Sequence, residues 1–190
     1  MPAGLSLRVQ ALSKRFAGST QPVFSNVSFA VPNGQSVALI GRNGAGKSTL
    51  MRCCVRLIEP DDGHIELDGS ALSGRNAREL RRARQRCSFV FQKHGLVPGL
   101  SVLSNVLHGG LARHTGPRHW SHVLAPRAER ERAMDCLDQV GLADLARQRC
   151  DRLSGGQSQR VAIARALMQQ PRILFADDPP PAWTRRPARR

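Results

Sequence analysis

A chain of 190 residues with 41% hydrophobic content can bury one domain core, and with aromatics at only 4% that core must rest on Leu, Val, Ile and Ala. The formal charge of +15 invites a nucleic-acid reading, but only Lys14, Lys47 and Lys93 among the 29 basic residues are lysine; this is the bias a GC-rich coding sequence produces, and no nucleic acid is expected as a partner. No apolar run spans a membrane and the start "MPAGLSLRVQ" lacks a secretion signal, so a cytoplasmic location is expected, with Cys53, Cys54, Cys87, Cys136 and Cys150 as buried reduced thiols, since no C-x-x-C pair is present.

Along the chain, Ser36 to Ile40 has the pattern of a short buried strand, and Gly41-x-x-x-x-Gly46-Lys47-Ser48 follows it at once. A strand before and a helix after make such a loop a phosphate cradle. Glycine lets backbone N–H groups turn toward phosphate oxygens, and the helix from Lys47 adds the positive end of its dipole. Gly41, Asn43, Gly44 and Gly46 are the expected cradle. Lys47 is expected to reach the β- and γ-phosphates, Ser48 to ligate Mg²⁺ and Thr49 to hold the α-phosphate. A P-loop alone leaves kinases, GTPases and motor ATPases open.

Further on, "EPDDGHIELDGS" reads as a loop and a hairpin strand, with Ile65 and Leu67 alternating with polar neighbours. Cys87 to Phe91 reads as a strand ending at Gln92. His108, His114, His119 and His122 lie in a stretch without metal-ligand spacing. "APRAERERAMDCLDQVGLADLARQRC" reads as an amphipathic helix and a shorter one. Ser154-Gly155-Gly156-Gln157 then opens a helix with apolar residues at Val161, Ile163, Ala164, Leu167 and Met168, closed by Pro171: a second glycine-rich helix N-terminus suited to an anion. "RILFADD" is an apolar run delivering Asp177 and Asp178.

"RLSGGQSQRVAIARALMQQP", joined to the P-loop and the strand after it, resembles the ATP-binding cassette ATPases, whose signature is LSGGQ. The resemblance covers about residues 5–178. It implies an α/β fold: a RecA-like P-loop NTPase core, an antiparallel β subdomain opened by "LSKRFAGSTQPVFSNVSFAVPNGQ", and a helical subdomain at about residues 93–170. It implies ATP and Mg²⁺ as cofactors, with Ser48, Gln92 and Asp177 around the metal and Phe16 stacked on adenine. It implies a head-to-tail homodimer in which Ser154, Gly155, Gly156 and Gln157 of one copy cover ATP held by the other. Transmembrane permease subunits, and through them a substrate-binding protein, are the implied partners, with the chain peripheral on the cytoplasmic side of the plasma membrane. Within the family, "GLSVLSNVLHGGLARHTGPRHW" resembles the ATPase subunit of phosphonate importers, so uptake of phosphonate or a related oxyanion is expected. A cassette ATPase acting on DNA or ribosomes is the alternative, against which the short span from Gln92 to Ser154 argues.

The family pattern has a catalytic glutamate where this chain has Asp178. The shorter side chain withdraws the carboxylate by about 1.5 Å, one C–C bond, and hydrolysis is expected to be weak or absent, leaving a chain that binds nucleotide only as the other alternative. The family continues into further strands and a switch histidine, but Pro179 to Arg190 contains no histidine, so the C-terminal part of the core is expected to be missing. Restoring one base inside the codon of residue 178 permits the family's "P-x-A-S-L-D-P" to be read through Trp183-Thr184. The tail is therefore expected to be out-of-frame translation rather than an arginine-rich arm for nucleic acid or anionic lipid.

Overall fold

A computed structural model describes residues 5–113 and 124–177; His114, His119, His122, Trp120, Asp178 and the tail from Pro179 lie outside them. The chain divides into two compact units, residues 1–87 and residues 88–190.

The first unit is built on an antiparallel sheet in the order β2-β1-β3-β4, comprising β1 Leu5–Lys14, β2 Phe24–Pro32, β3 Asp62–Leu67 and β4 Ser70–Ala71. The period-two alternation of strands puts Leu7 and Val9 on one face, where they stand opposite Leu67 and Ile65 of β3. All four are buried, each contributing about 1.5–3 kcal/mol relative to exposure. The hairpin and the opening antiparallel pair are thus both present. Helix α1 Lys47–Cys54 follows the glycine-rich loop and buries Leu50, Cys53 and Cys54, and helix α2 Ala77–Arg84 follows β4.

The expected strand at Ser36 to Ile40 does not form. The segment is irregular, and Val37 and Ile40 are 51% and 95% exposed. Apolar β-branched residues make a segment fit to be a strand, but a strand exists only where a neighbour supplies the ladder. The sheet of this unit ends at β2 and β4, and neither pairs with it.

The five cysteines are buried and form no disulfide. Burial is the main cause pushing Cys53 up to about 11 and Cys54 and Cys87 up to about 12; the adjacent Cys53 adds to the shift at Cys54. A raised folded-state value stabilises the fold fully below the unfolded thiol value and loses that contribution as pH rises through the folded one. The thermal midpoint is therefore expected to fall between about pH 9 and pH 12, with native thiols unreactive to Ellman's reagent near pH 8. Rapid labelling of folded protein would contradict this.

In the second unit, β5 Cys87–Val90 and β6 Ile173–Ala176 form a two-stranded sheet. The helices are α3 Val102–Leu107, α4 Arg127–Gln139 and α5 Gly155–Met168. The shorter helix expected after α4 is a 3₁₀ turn, Ala143–Leu145. α5 is buried on two sides. Val161, Ala164 and Met168 join Val102 and Val106 of α3 and Ala133 and Leu137 of α4. Ala162, Ile163 and Ala166 pack with Val90, and with Leu174 and Ala176 of β6. A helix enclosed this way carries apolar residues around most of its circumference rather than on one stripe. It stops where Gln170 turns left-handed, at φ 54°, ahead of Pro171.

Candidate nucleotide-binding site

The glycine-rich loop of the first unit enters α1 through Gly46, which caps the helix at φ 83°. Glycine is needed there twice over. The left-handed backbone disfavours a side chain, and a Cβ would stand 2.6 Å from Cγ1 of Val23. Lys47 folds over the same loop, its Nζ donating to the carbonyls of Gly41 at 2.8 Å and Arg42 at 3.0 Å. The ammonium is thus held against the main chain of the loop that precedes it. Ser48 and Thr49 lie in the first turn of α1, half-buried, while Asn43 and Gly44 are exposed. Phe16, just after β1, is 45% exposed and so is not a core residue; Nζ of Lys14 lies 5.8 Å from its ring centroid. Lys14 is fixed in turn by Asp61, which also accepts from the Arg15 N–H, and these bonds hold the Asp61 carboxyl below its usual range.

The second glycine-rich site opens α5. Ser154 caps the helix by accepting from the Gln157 N–H at 3.3 Å, and the Gln157 side chain accepts from the Ser154 N–H at 2.9 Å. This reciprocal capping satisfies two of the N–H groups that a helix start leaves open. Gly155 and Gly156 are exposed, and a Cβ on either would meet nothing within 4 Å.

In the same unit, Gln92 stands exposed two residues beyond the end of β5, and Asp177 follows β6 at 6% exposure with its N–H donating to the Val90 carbonyl at 2.9 Å. The ends of adjacent strands thus present an amide and a carboxylate. Two residues that the sequence did not single out organise the segment after Gln92. Asn105, fully buried on α3, accepts from the Val97 N–H at 2.7 Å and donates to the carbonyls of Val97 and Ser101, both at 3.1 Å. Arg165 on α5 donates to the carbonyls of His94 and Gly95, and burial lowers its pKa from the ordinary arginine value. In one sequence both look like ordinary helix residues; a polar side chain inside an apolar helical pattern was the one available signal for Asn105.

Nucleotide and metal can be tested against these residues. A loop whose helix cap excludes any Cβ, with a lysine over its carbonyls, suits phosphate. Ser48 in the first unit carries a hydroxyl, and Gln92 and Asp177 in the second carry an amide oxygen and a carboxylate; each is the kind of hard oxygen donor that Mg²⁺ takes. Among the described residues no three His, Cys, Asp or Glu side chains come together as a metal cluster.

The ABC transporter family matches residues 24–180 of the chain. The chain is 47% identical over 173 residues to "Phosphonates import ATP-binding protein PhnC 2" of Synechococcus sp. (strain JA-2-3B'a(2-13)), which spans 91% of this chain and 64% of that protein. It is 48% identical over 174 residues to "Phosphonates import ATP-binding protein PhnC" of Nitratidesulfovibrio vulgaris, spanning 92% and 65%. It therefore covers about two thirds of these relatives' length or slightly less. Among solved structures it is similar to MJ0796, a dimeric bacterial ABC transporter cassette, with TM-score 0.80, 31% identity and coverage of 91% of this chain and 74% of that one. A post-hydrolysis state of MJ0796 bound to ADP and Pi gives the same TM-score, 0.80, over 93% and 75%. With a P-loop NTPase fold, the P-loop and the LSGGQ helix start all present, the chain belongs to the ABC transporter family.

Proposed function

We propose that this chain is the ATP-binding subunit of an importer, that it holds Mg²⁺ and ATP, and that it serves uptake of phosphonate or a related oxyanion. One observation carries the reading: Gly155 and Gly156 are glycine although neither local packing nor a left-handed backbone demands it. A ligand oxygen approaching the bare helix start is what requires a missing Cβ there. The names of the phosphonate-import relatives support the substrate class, and the dimeric cassette supports a pair in which Ser154 to Gln157 of one copy face ATP on the other.

In this reading Lys47 and the N–H groups of Gly44 to Thr49 bind the phosphates, and Gly41 and Asn43 shape the loop. Phe16 stacks on adenine. Ser48, Gln92 and Asp177 hold Mg²⁺, which neutralises charge on the β- and γ-phosphates when bound. Gln92 and Asp178 orient the attacking water, and the short side chain at 178 makes turnover slow. No helix among the described residues is long and apolar enough to cross a membrane; permease partners at the cytoplasmic face are part of the proposal.

Calorimetric titration of the purified chain with ATP and Mg²⁺ is expected to give a Kd below about 1 mM, with turnover well below about 1 s⁻¹. Absence of saturable binding overturns the reading. Binding with no turnover at all favours a nucleotide-binding protein without catalysis. The substrate class is tested apart from this, by uptake of a phosphonate in cells with and without the coding sequence.

A further inference from the structure

α5 begins at the signature and carries Arg165 further along. The guanidinium reaches across 70 residues of sequence to the segment just after Gln92: Nη1 donates to the Gly95 carbonyl and Nη2 to the His94 carbonyl, both at 2.6 Å. Those carbonyls belong to a turn in which two successive residues are left-handed, His94 at φ 39° and Gly95 at φ 58°. Gly95 suits that backbone, but a non-glycine residue such as His94 is strained in it and persists there only when its surroundings hold it. Arg165 restrains both carbonyls from its side chain. An arginine on a packed helix ordinarily extends its charged end to water. This one instead directs both terminal nitrogens at one stretch of main chain, the planar two-donor geometry that distinguishes arginine from lysine.

We propose that Arg165 is a positioning residue for Gln92: it fastens the turn that follows Gln92 to the signature helix, so that the Mg²⁺-dependent part of nucleotide affinity depends on it. The inference rests on the nucleotide-binding reading above. It assigns Arg165 no contact with nucleotide.

The test uses the full chain with Arg165→Gln and Arg165→Lys. Two quantities are read: ATP affinity with Mg²⁺ and with excess EDTA, and the rate of cleavage by endoproteinase Lys-C. The chain has only three lysines, so cutting at Lys93 reports the turn while Lys14 and Lys47 serve as internal references. Arg165→Gln is expected to lose about five- to tenfold of the affinity gained from Mg²⁺, leave the EDTA affinity within about twofold, and be cut at Lys93 about fivefold faster. Arg165→Lys, which keeps the charge without the fork, falls between. Should the Gln variant not fold, the Lys variant decides on the same two readouts.

Unchanged cleavage at Lys93 overturns the clamp, and faster cleavage with the full Mg²⁺ gain retained overturns the positioning role. Equal loss of affinity with and without Mg²⁺ shows a general structural role and also overturns it. A wild-type chain that binds no ATP overturns the function proposed above, whatever happens at Lys93.

Discussion

Lys47→Ala is expected to lower ATP affinity by about 100-fold or more while moving the thermal midpoint little. In the protein the ammonium donates to the carbonyls of Gly41 and Arg42. Such bonds to neutral acceptors on an exposed loop add little net stability, because the freed carbonyls and the ammonium are both hydrated when they part. Against a triphosphate the same two donors meet charged oxygens, and charge-assisted bonds are worth about 1.5–3 kcal/mol each. Losing two of them exceeds the roughly 2.8 kcal/mol that corresponds to a hundredfold change in Kd. Titration with a fluorescent ATP analogue, beside a thermal melt of both proteins, separates the two effects. A variant that binds as tightly as the parent puts the nucleotide elsewhere. One that unfolds would make Lys47 structural, contrary to the exposed position of the two bonds it makes.

The two glycine-rich helix starts were legible because their chemistry is local. Gly46 is followed at once by Lys47 and Ser48, and Ser154 needs Gln157 three residues on; such spacing survives whatever the rest of the chain does. The buried face of β3 was legible for the same reason, since Ile65 and Leu67 declare it by alternation alone. Ser36 to Ile40 had an equally good apolar pattern and is not a strand, because pairing is decided by elements far away in sequence and not by the segment itself. Arg165 was invisible from the opposite direction. Nothing next to it in sequence marks it, and its partners are carbonyls, which every residue has. Asn105 is intermediate: its amide satisfies three backbone groups of Val97 and Ser101, a reason for a buried polar group that periodicity flags but does not explain.

Gly109→Ala is expected to cost the second unit about 3 kcal/mol or more, where Gly110→Ala costs about 1 kcal/mol or less. Both glycines lie in the 3₁₀ segment His108–Ala112, yet their surroundings differ. A Cβ at 109 would stand 2.0 Å from the carbonyl oxygen of Arg165 and 3.0 Å from both its carbonyl carbon and Cβ of Met168. These are main-chain atoms and the root of a side chain on α5, so the helix itself must move, and α5 is packed on two sides. A Cβ at 110 would first meet Oε2 of Glu129 at 3.3 Å and then Cε of Met168 at 3.5 Å. Both are ends of flexible side chains that can withdraw. Urea denaturation followed by circular dichroism reads the contrast directly, and equal costs at the two positions would falsify the packing account. The same displacement shifts the backbone of Arg165, so a folded Gly109→Ala population should also be cut faster at Lys93. Gly109 sits in the "VLHGG" run that resembles phosphonate importers, and a glycine demanded by the closeness of α5 is then part of how the cassette packs rather than of how a substrate is chosen.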